Sequence, residues 1–241
     1  MARLSDHSAP RRGPRPPWLG RRVAVVRDER PRIETLPARR LVLLRHGRTE
    51  WNARKRVQGQ LDPDLDETGH AQAQAVGPAV AALAPVTLLC SDLARARQTA
   101  DHVARATGLT PSYDERLREY HLGERQGLTH DEYAVLEPEE FTRFRAGDWD
   151  DVPGAETRAQ VADRFSAVLK EAAATLGAGE TALVVAHGAA IRTGMVHWLG
   201  WPLEQAADFR ALGNCCWVEL DERPGGRWAL AAYNRTAPVV E

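Results

Sequence analysis

Three short apolar runs constrain this chain more than any other feature: "LVLLR" (41–45), "VTLLCS" (86–91) and "ALVVAH" (182–187). None alternates apolar with polar residues, so none reads as a strand with one wet face. Continuous runs of this length, β-branched in part, read as strands buried on both faces. Stripes at helical spacing lie between them: Val76, Val80 and Leu83; Leu93, Ala96, Ala100 and Val103; and Val161, Phe165, Val168 and Ala172. Strands that alternate with helices predict a mostly parallel central sheet covered on both faces, an α/β three-layer αβα sandwich. "CCWVELDE" and "RWALAAYN", on either side of Pro224-Gly225-Gly226, add a closing hairpin. The chain has 241 residues, 43% of them hydrophobic, enough for one sizeable core over residues 39–241.

Residues 1–38 differ from the rest. They are rich in Arg and Pro and bury too little apolar surface to offset their ordering entropy, so they are expected to form a disordered extension. The alternative is a basic arm that touches an acidic partner. Over the whole chain the net charge is only -1, which gives no electrostatic case for nucleic acid or a membrane surface. Cys90, Cys215 and Cys216, an odd number with two adjacent, do not look like a disulfide framework and suit a reducing compartment. No apolar run approaches a membrane span, and the twin arginines Arg11 and Arg12 lack the apolar stretch of an export signal. The expected location is cytoplasmic.

In an open parallel sheet, ligands bind beyond the carboxyl ends of the strands. The first run ends in Arg45-His46-Gly47. The second leads into "SDLARARQTA", with Arg95 about one turn inside the next helix. The third ends in His187-Gly188, where a helix can start and present backbone N–H groups and its positive dipole end to an anion. An Arg-His-Gly tripeptide, a strand-end histidine and a helix arginine are each unremarkable alone. Their convergence on one sheet edge predicts a phosphate site.

Five segments in order, "RHGRTEWN", "VQGQLDPDLDETG", "SDLARARQTA", "RLREYHLGERQGLT" and "VVAHG", resemble the motifs of the histidine phosphatase superfamily, which has the phosphoglycerate-mutase-like fold. The resemblance covers about residues 40–236. It implies that His46 is a nucleophile carrying a phosphoryl group, with Arg45, Arg95 and His187 holding the phosphoryl oxygens. Glu115, Glu119 and Glu124 lie in one charged stretch that spacing cannot resolve, and only the resemblance selects Glu119 as proton donor and later general base. Thr49, Asn52, Gln58, Gly59 and Gly188 match positions around the phosphate, although Thr49 suits a simple turn equally well. Arg125 stands where relatives commonly carry an aromatic residue, and is read as packing outward rather than as a basic pocket wall.

The implied activity is metal-independent hydrolysis of a small phosphomonoester, of sugar or glycerate type, without a cofactor. A homodimer is left open. Within the family, "QGQLD" and "REYHLGERQGLTH" look most like actinobacterial phosphatases acting on glucosyl-3-phosphoglycerate, and next like broad-specificity monoesterases. The alternatives are a cofactor-dependent phosphoglycerate mutase and a non-catalytic phospho-ligand-binding protein. The interval from Tyr120 to Ala186 looks too short for the extra lid segment of the mutases, and every charged residue the chemistry needs is retained. Residues 137–157 are expected to cap the pocket, mixing Phe141, Phe144 and Trp149 with Arg143 and Arg145.

Overall fold

The computed structural model describes residues 37–237. The expectation of a disordered extension over 1–38 therefore lies, apart from its last two residues, outside the described residues. From Arg39 onward the chain is tied down, since the Arg39 guanidinium holds both carboxylate oxygens of Glu222 at 2.7 Å.

Strand β1 (Arg40–Arg45) leads through the short helix α1 (Glu50–Ala53) to α2 (Glu67–Ala81), β2 (Pro85–Cys90), α3 (Ala94–Thr107) and the two-residue β3 (Ser112–Tyr113). Helices α4 (His130–Leu136), α5 (Pro138–Arg145) and α6 (Arg158–Thr175) follow, then β4 (Thr181–Ala186), α7 (Gly188–Trp198), β5 (Trp217–Arg223) and β6 (Arg227–Arg235). The six-stranded sheet runs β3-β2-β4-β1-β5-β6. Its first four strands are parallel and the β5–β6 hairpin is antiparallel. The mostly parallel α/β sandwich and the closing hairpin are as the sequence predicts. Strand β3 is too short to leave a periodic signal.

The continuous apolar runs are the central strands, and period-2 geometry divides their side chains between two cores. In β1, Leu41 and Leu43 face Phe165, Leu169 and Ile191 of α6 and α7, whereas Val42 and Leu44 face Val76, Val80, Ala100 and Val103 of α2 and α3. β4 is buried at every position. The predicted stripes are the buried faces of α2, α3 and α6, with Leu83 just beyond the end of α2 and Leu93 at the N-cap of α3. Thr129 and Thr157 start α4 and α6 with capping boxes, closed by Glu132 and Gln160. None of the helices among the described residues is long and apolar enough to cross a membrane.

This order puts β4 and β1 side by side at the centre, in parallel register, with Arg45 opposite Ala186. Arg45-His46 and His187-Gly188 therefore leave the sheet at the same edge. Adjacent β2 sends Ser91 and then α3, with Arg95, over that edge.

Candidate active site

His46 follows the last residue of β1 and is clamped on three sides. Its backbone N–H donates to Ala186 O at 3.0 Å, and Asn214 Nδ2 donates to its carbonyl at 3.1 Å. The next N–H, of Gly47, donates to Thr99 Oγ1 at 3.0 Å, which ties the strand end to α3. Gly47 is required here because a Cβ would lie 2.5 Å from Gly69 O. The ring makes one hydrogen bond, from Nδ1 to Gly47 O at 2.7 Å. A carbonyl only accepts, so Nδ1 carries the hydrogen and Nε2 keeps its lone pair. Burial, and then the charges of Arg95 and Arg45, hold this histidine well below its usual pKa. His46 is thus a buried neutral imidazole with its free nitrogen available.

His187 lies beside it, with ring centroids 5.1 Å apart. Burial first, and then Arg95, keep it neutral too. Its Nε2 meets Ser91 Oγ at 2.8 Å, while its buried Nδ1 has no protein partner. With the Ser91 hydroxyl donating to Nε2, Nδ1 carries the hydrogen and can donate to an incoming anion. Arg95 is 1% exposed and anchored by bonds of 2.7 Å to Gly59 O and Leu61 O. Arg45 donates to Leu212 O at 2.5 Å. Both guanidiniums keep a buried, unpartnered Nε. Burial pushes Arg95 down to about 10, which leaves it charged at neutral pH. Unpaired donors on Arg45, Arg95 and His187 around a free histidine nitrogen form a ready cradle for phosphoryl oxygens.

Glu119 closes the other side. His187 offers no side-chain cap to α7, so the first N–H groups of that helix need an acceptor. The Glu119 carboxyl supplies it: Oε2 accepts from Ala189 N at 3.1 Å, and Oε1 from Ala190 N at 2.9 Å and from Tyr120 N at 3.1 Å. Oε2, with a single donor, is the oxygen left able to exchange a proton. The segment that carries Glu119 is held by Arg164 of α6, which donates to the carbonyls of Arg116, Arg118 and Glu119 and pairs with Glu156 at 2.8 Å. Of the three glutamates that spacing cannot separate, Glu119 is the one on the pocket wall.

The cavity measures about 290 Å³. Of the residues the sequence singles out, Arg45, His46, Asn52, Gln58, Gly59, Arg95, Glu119 and Gly188 line it. Gly59 has φ +53, and a Cβ there would lie 2.0 Å from Gln126 Oε1. Thr49 requires a correction: its hydroxyl is engaged entirely in local structure, accepting from Asn52 N at 3.1 Å and donating to Asn52 Oδ1, so it caps α1 and positions Asn52. Arg125 also differs from expectation. It neither packs outward nor lines the pocket, but is buried in an ion pair with Glu140 at 2.7 Å and lies over the Tyr133 ring. In the cap, Phe144 and Trp149 reach the cavity, while Arg143 and Arg145 do not.

Ser91, Thr99, Asn214 and Arg192 were not singled out by sequence. Ser91 directly follows β2, and Thr99 lies one turn after Arg95, so both sit where strand-end geometry could have pointed. Asn214 arrives from a distant turn and leaves no local signal. Among the described residues, no three His, Cys, Asp or Glu side chains are grouped to hold a metal ion. All three cysteines are free and buried.

Comparison with known proteins agrees with this geometry. The glucosyl-3-phosphoglycerate phosphatase of Mycolicibacterium vanbaalenii is 37% identical over 218 residues, covering 84% of this chain and 97% of that protein. Phosphoglycerate mutase-like protein 4 of Arabidopsis thaliana is 37% identical over 157 residues, covering 64% of this chain and 68% of the relative. A solved mycobacterial glucosyl-3-phosphoglycerate phosphatase in complex with VO3 matches with a TM-score of 0.77 at 36% identity, covering 83% of this chain and 100% of that one. Residues 41–236, which hold every side chain of the cradle, match the histidine phosphatase superfamily (branch 1), and the chain belongs to that family.

Proposed function

We propose that the protein is a phosphomonoesterase acting on a small phosphorylated metabolite of sugar or glycerate type, with glucosyl-3-phosphoglycerate the foremost candidate. The observation that carries this reading is the tautomer of His46, with Nδ1–H on Gly47 O and Nε2 free beside three unpaired donors. In the first half-reaction Nε2 attacks phosphorus and the P–O ester bond breaks. The leaving alkoxide takes its proton from Glu119, and Arg45, Arg95 and His187 hold the equatorial oxygens. In the second, Glu119 removes a proton from water, the water oxygen attacks phosphorus, and the P–N bond breaks to release inorganic phosphate. The 37% identity to a glucosyl-3-phosphoglycerate phosphatase over 84% of this chain supports the substrate class. The mutase alternative is weaker, since the glucosyl-3-phosphoglycerate phosphatase of Mycolicibacterium vanbaalenii matches 84% of this chain, against 64% for the mutase-like protein of Arabidopsis thaliana.

The test is a panel of phosphomonoesters ranked by kcat/KM, repeated on Glu119→Gln. An alkyl alkoxide is a poor leaving group and needs the proton, whereas p-nitrophenolate does not. Enzyme phosphorylation by sugar and glycerate esters should fall by about 10²–10⁴-fold in Glu119→Gln, and by far less with p-nitrophenyl phosphate. Burst kinetics separate this step from dephosphorylation, which slows for both. Equal losses in the phosphorylation step would remove Glu119 as the acid.

A further inference from the structure

Four guanidiniums line the cavity, Arg45, Arg56, Arg95 and Arg192, against a single carboxylate, Glu119. Arg45 and Arg95 flank the nucleophile. Arg56 is engaged outside the cradle, with its Nη1 on Gly127 O, Glu132 4.0 Å away and the Trp51 ring 5.6 Å away. Arg192 pairs with neither a carboxylate nor an aromatic ring among the described residues. Its Nη1 donates to Phe209 O at 3.0 Å and weakly to Ala206 O at 3.5 Å, both backbone carbonyls. Its Nε is buried without a partner, and among the described residues no carboxylate pairs with it. It is thus a positive charge on the cavity wall, with donor capacity left over.

Its position says what it can reach. Arg192 and Gly188 are four residues apart on α7, on one face of the helix, and both line the cavity. Helical side chains lean back towards the N-terminus, so Arg192 projects towards the start of α7, where the phosphoryl cradle lies. One turn of helix separates the two positions, about 6 Å along the axis. Its charge is felt at Arg45, whose pKa burial lowers, with Glu119 opposing that shift and Arg192 adding to it. A phosphate dianion answers Arg45 and Arg95 and leaves Arg192 over.

We infer that Arg192 binds a carboxylate carried by the substrate itself, close along the carbon chain from the phosphate ester. It is then the residue that selects phosphorylated hydroxy acids over phosphorylated alcohols and plain sugars. This rests on the phosphomonoesterase reading and narrows it. A carboxylate suits the site better than a second phosphate, because one guanidinium with one free edge matches one planar bidentate acceptor.

The test uses two esters that differ only in this group, 3-phosphoglycerate and glycerol 3-phosphate. The wild type should prefer the acid, and the ratio of the two kcat/KM values should fall by about 10- to 100-fold in Arg192→Met, the range of a charge-assisted hydrogen bond. Arg192→Lys should recover part of the ratio. It also covers the case in which Arg192→Met fails to fold for want of its bonds to the 206–209 turn. A wild type without preference, or a loss in Arg192→Met shared equally by both esters, would overturn the assignment. Binding of the same pair to His46→Ala, followed by calorimetry, separates this inference from the reading it rests on. If neither ester is hydrolysed but binding of the acid still depends on Arg192, the carboxylate site stands and the phosphatase falls. If both are hydrolysed with no dependence on Arg192, the phosphatase stands and the carboxylate site falls.

Discussion

His46 can attack phosphorus only as a neutral imidazole, and its surroundings enforce that state. Burial and two guanidiniums disfavour the imidazolium, and the Gly47 carbonyl selects the tautomer. His187 is neutral for the same reasons. Both therefore bind fewer protons in the folded chain than in the unfolded one, where a histidine titrates near 6.5. Their contribution to stability is complete above that pH and is lost as the pH falls through it. Between pH 6.5 and 5.5 each should cost roughly 1 kcal/mol of unfolding free energy, and His102 and His130, shifted in the same direction, add to the trend. Urea unfolding across this range should show the decline, and His46→Asn should make it shallower. A flat profile would mean that the two histidines are not buried as neutral groups. His46, Arg45, Arg95 and His187 could be read as one cluster in the sequence because each sits at a strand end or one turn beyond it. Thr49 stays open between two roles in the sequence because capping and phosphate contact use the same hydroxyl at the same position, and only the structure shows it capping α1.

At the scale of elements, the site depends on how α4, α5 and the Glu119 segment are held. These lie off the sheet, where no strand register fixes them. Arg125 is the pin of the cap: with Glu140 it links the turn before α4 to α5, and the Tyr133 hydroxyl shares the same carboxylate at 2.5 Å. The Arg125 guanidinium holds Glu140 below the usual carboxylate range. Arg125→Met would leave the half-buried Glu140 without its cation and held only by the Tyr133 hydroxyl, and should destabilise the fold by about 1–2 kcal/mol, the range for losing a hydrogen bond to a charged group. Adding Glu140→Leu should restore most of that loss, because no charge is then stranded. Denaturant unfolding of the two variants decides it, and additive losses would show that the pair is solvated. The sequence hid this role, since a lone arginine in a charged stretch looks the same whether it faces water or a partner fifteen residues on. The cap aromatics were legible as a group, but only the structure separates Phe144 and Trp149, on the cavity wall, from Phe141, which packs between His130 and Tyr133.

For the molecule as a whole, the strand order carries the function. Because β1 and β4 are neighbours and β2 lies next to β4, three segments far apart in sequence deliver their polar ends to one sheet edge. The alternation of apolar runs and helical stripes made the sandwich legible, and the same runs made the site legible by ending in charged residues. What stayed hidden came from contacts that cross between elements, as with Asn214 on the His46 carbonyl or Arg164 on the Glu119 carbonyl. The central claim is that His46 carries the phosphoryl group, and trapping with an alkaline detergent quench tests it most directly. Enzyme mixed with a ³²P-labelled phosphomonoester and quenched within one turnover should hold acid-labile, base-stable label on the wild type, undiminished by a chelator, and none on His46→Ala. Label that persists on His46→Ala, or a wild type that turns over without ever holding label, would contradict it.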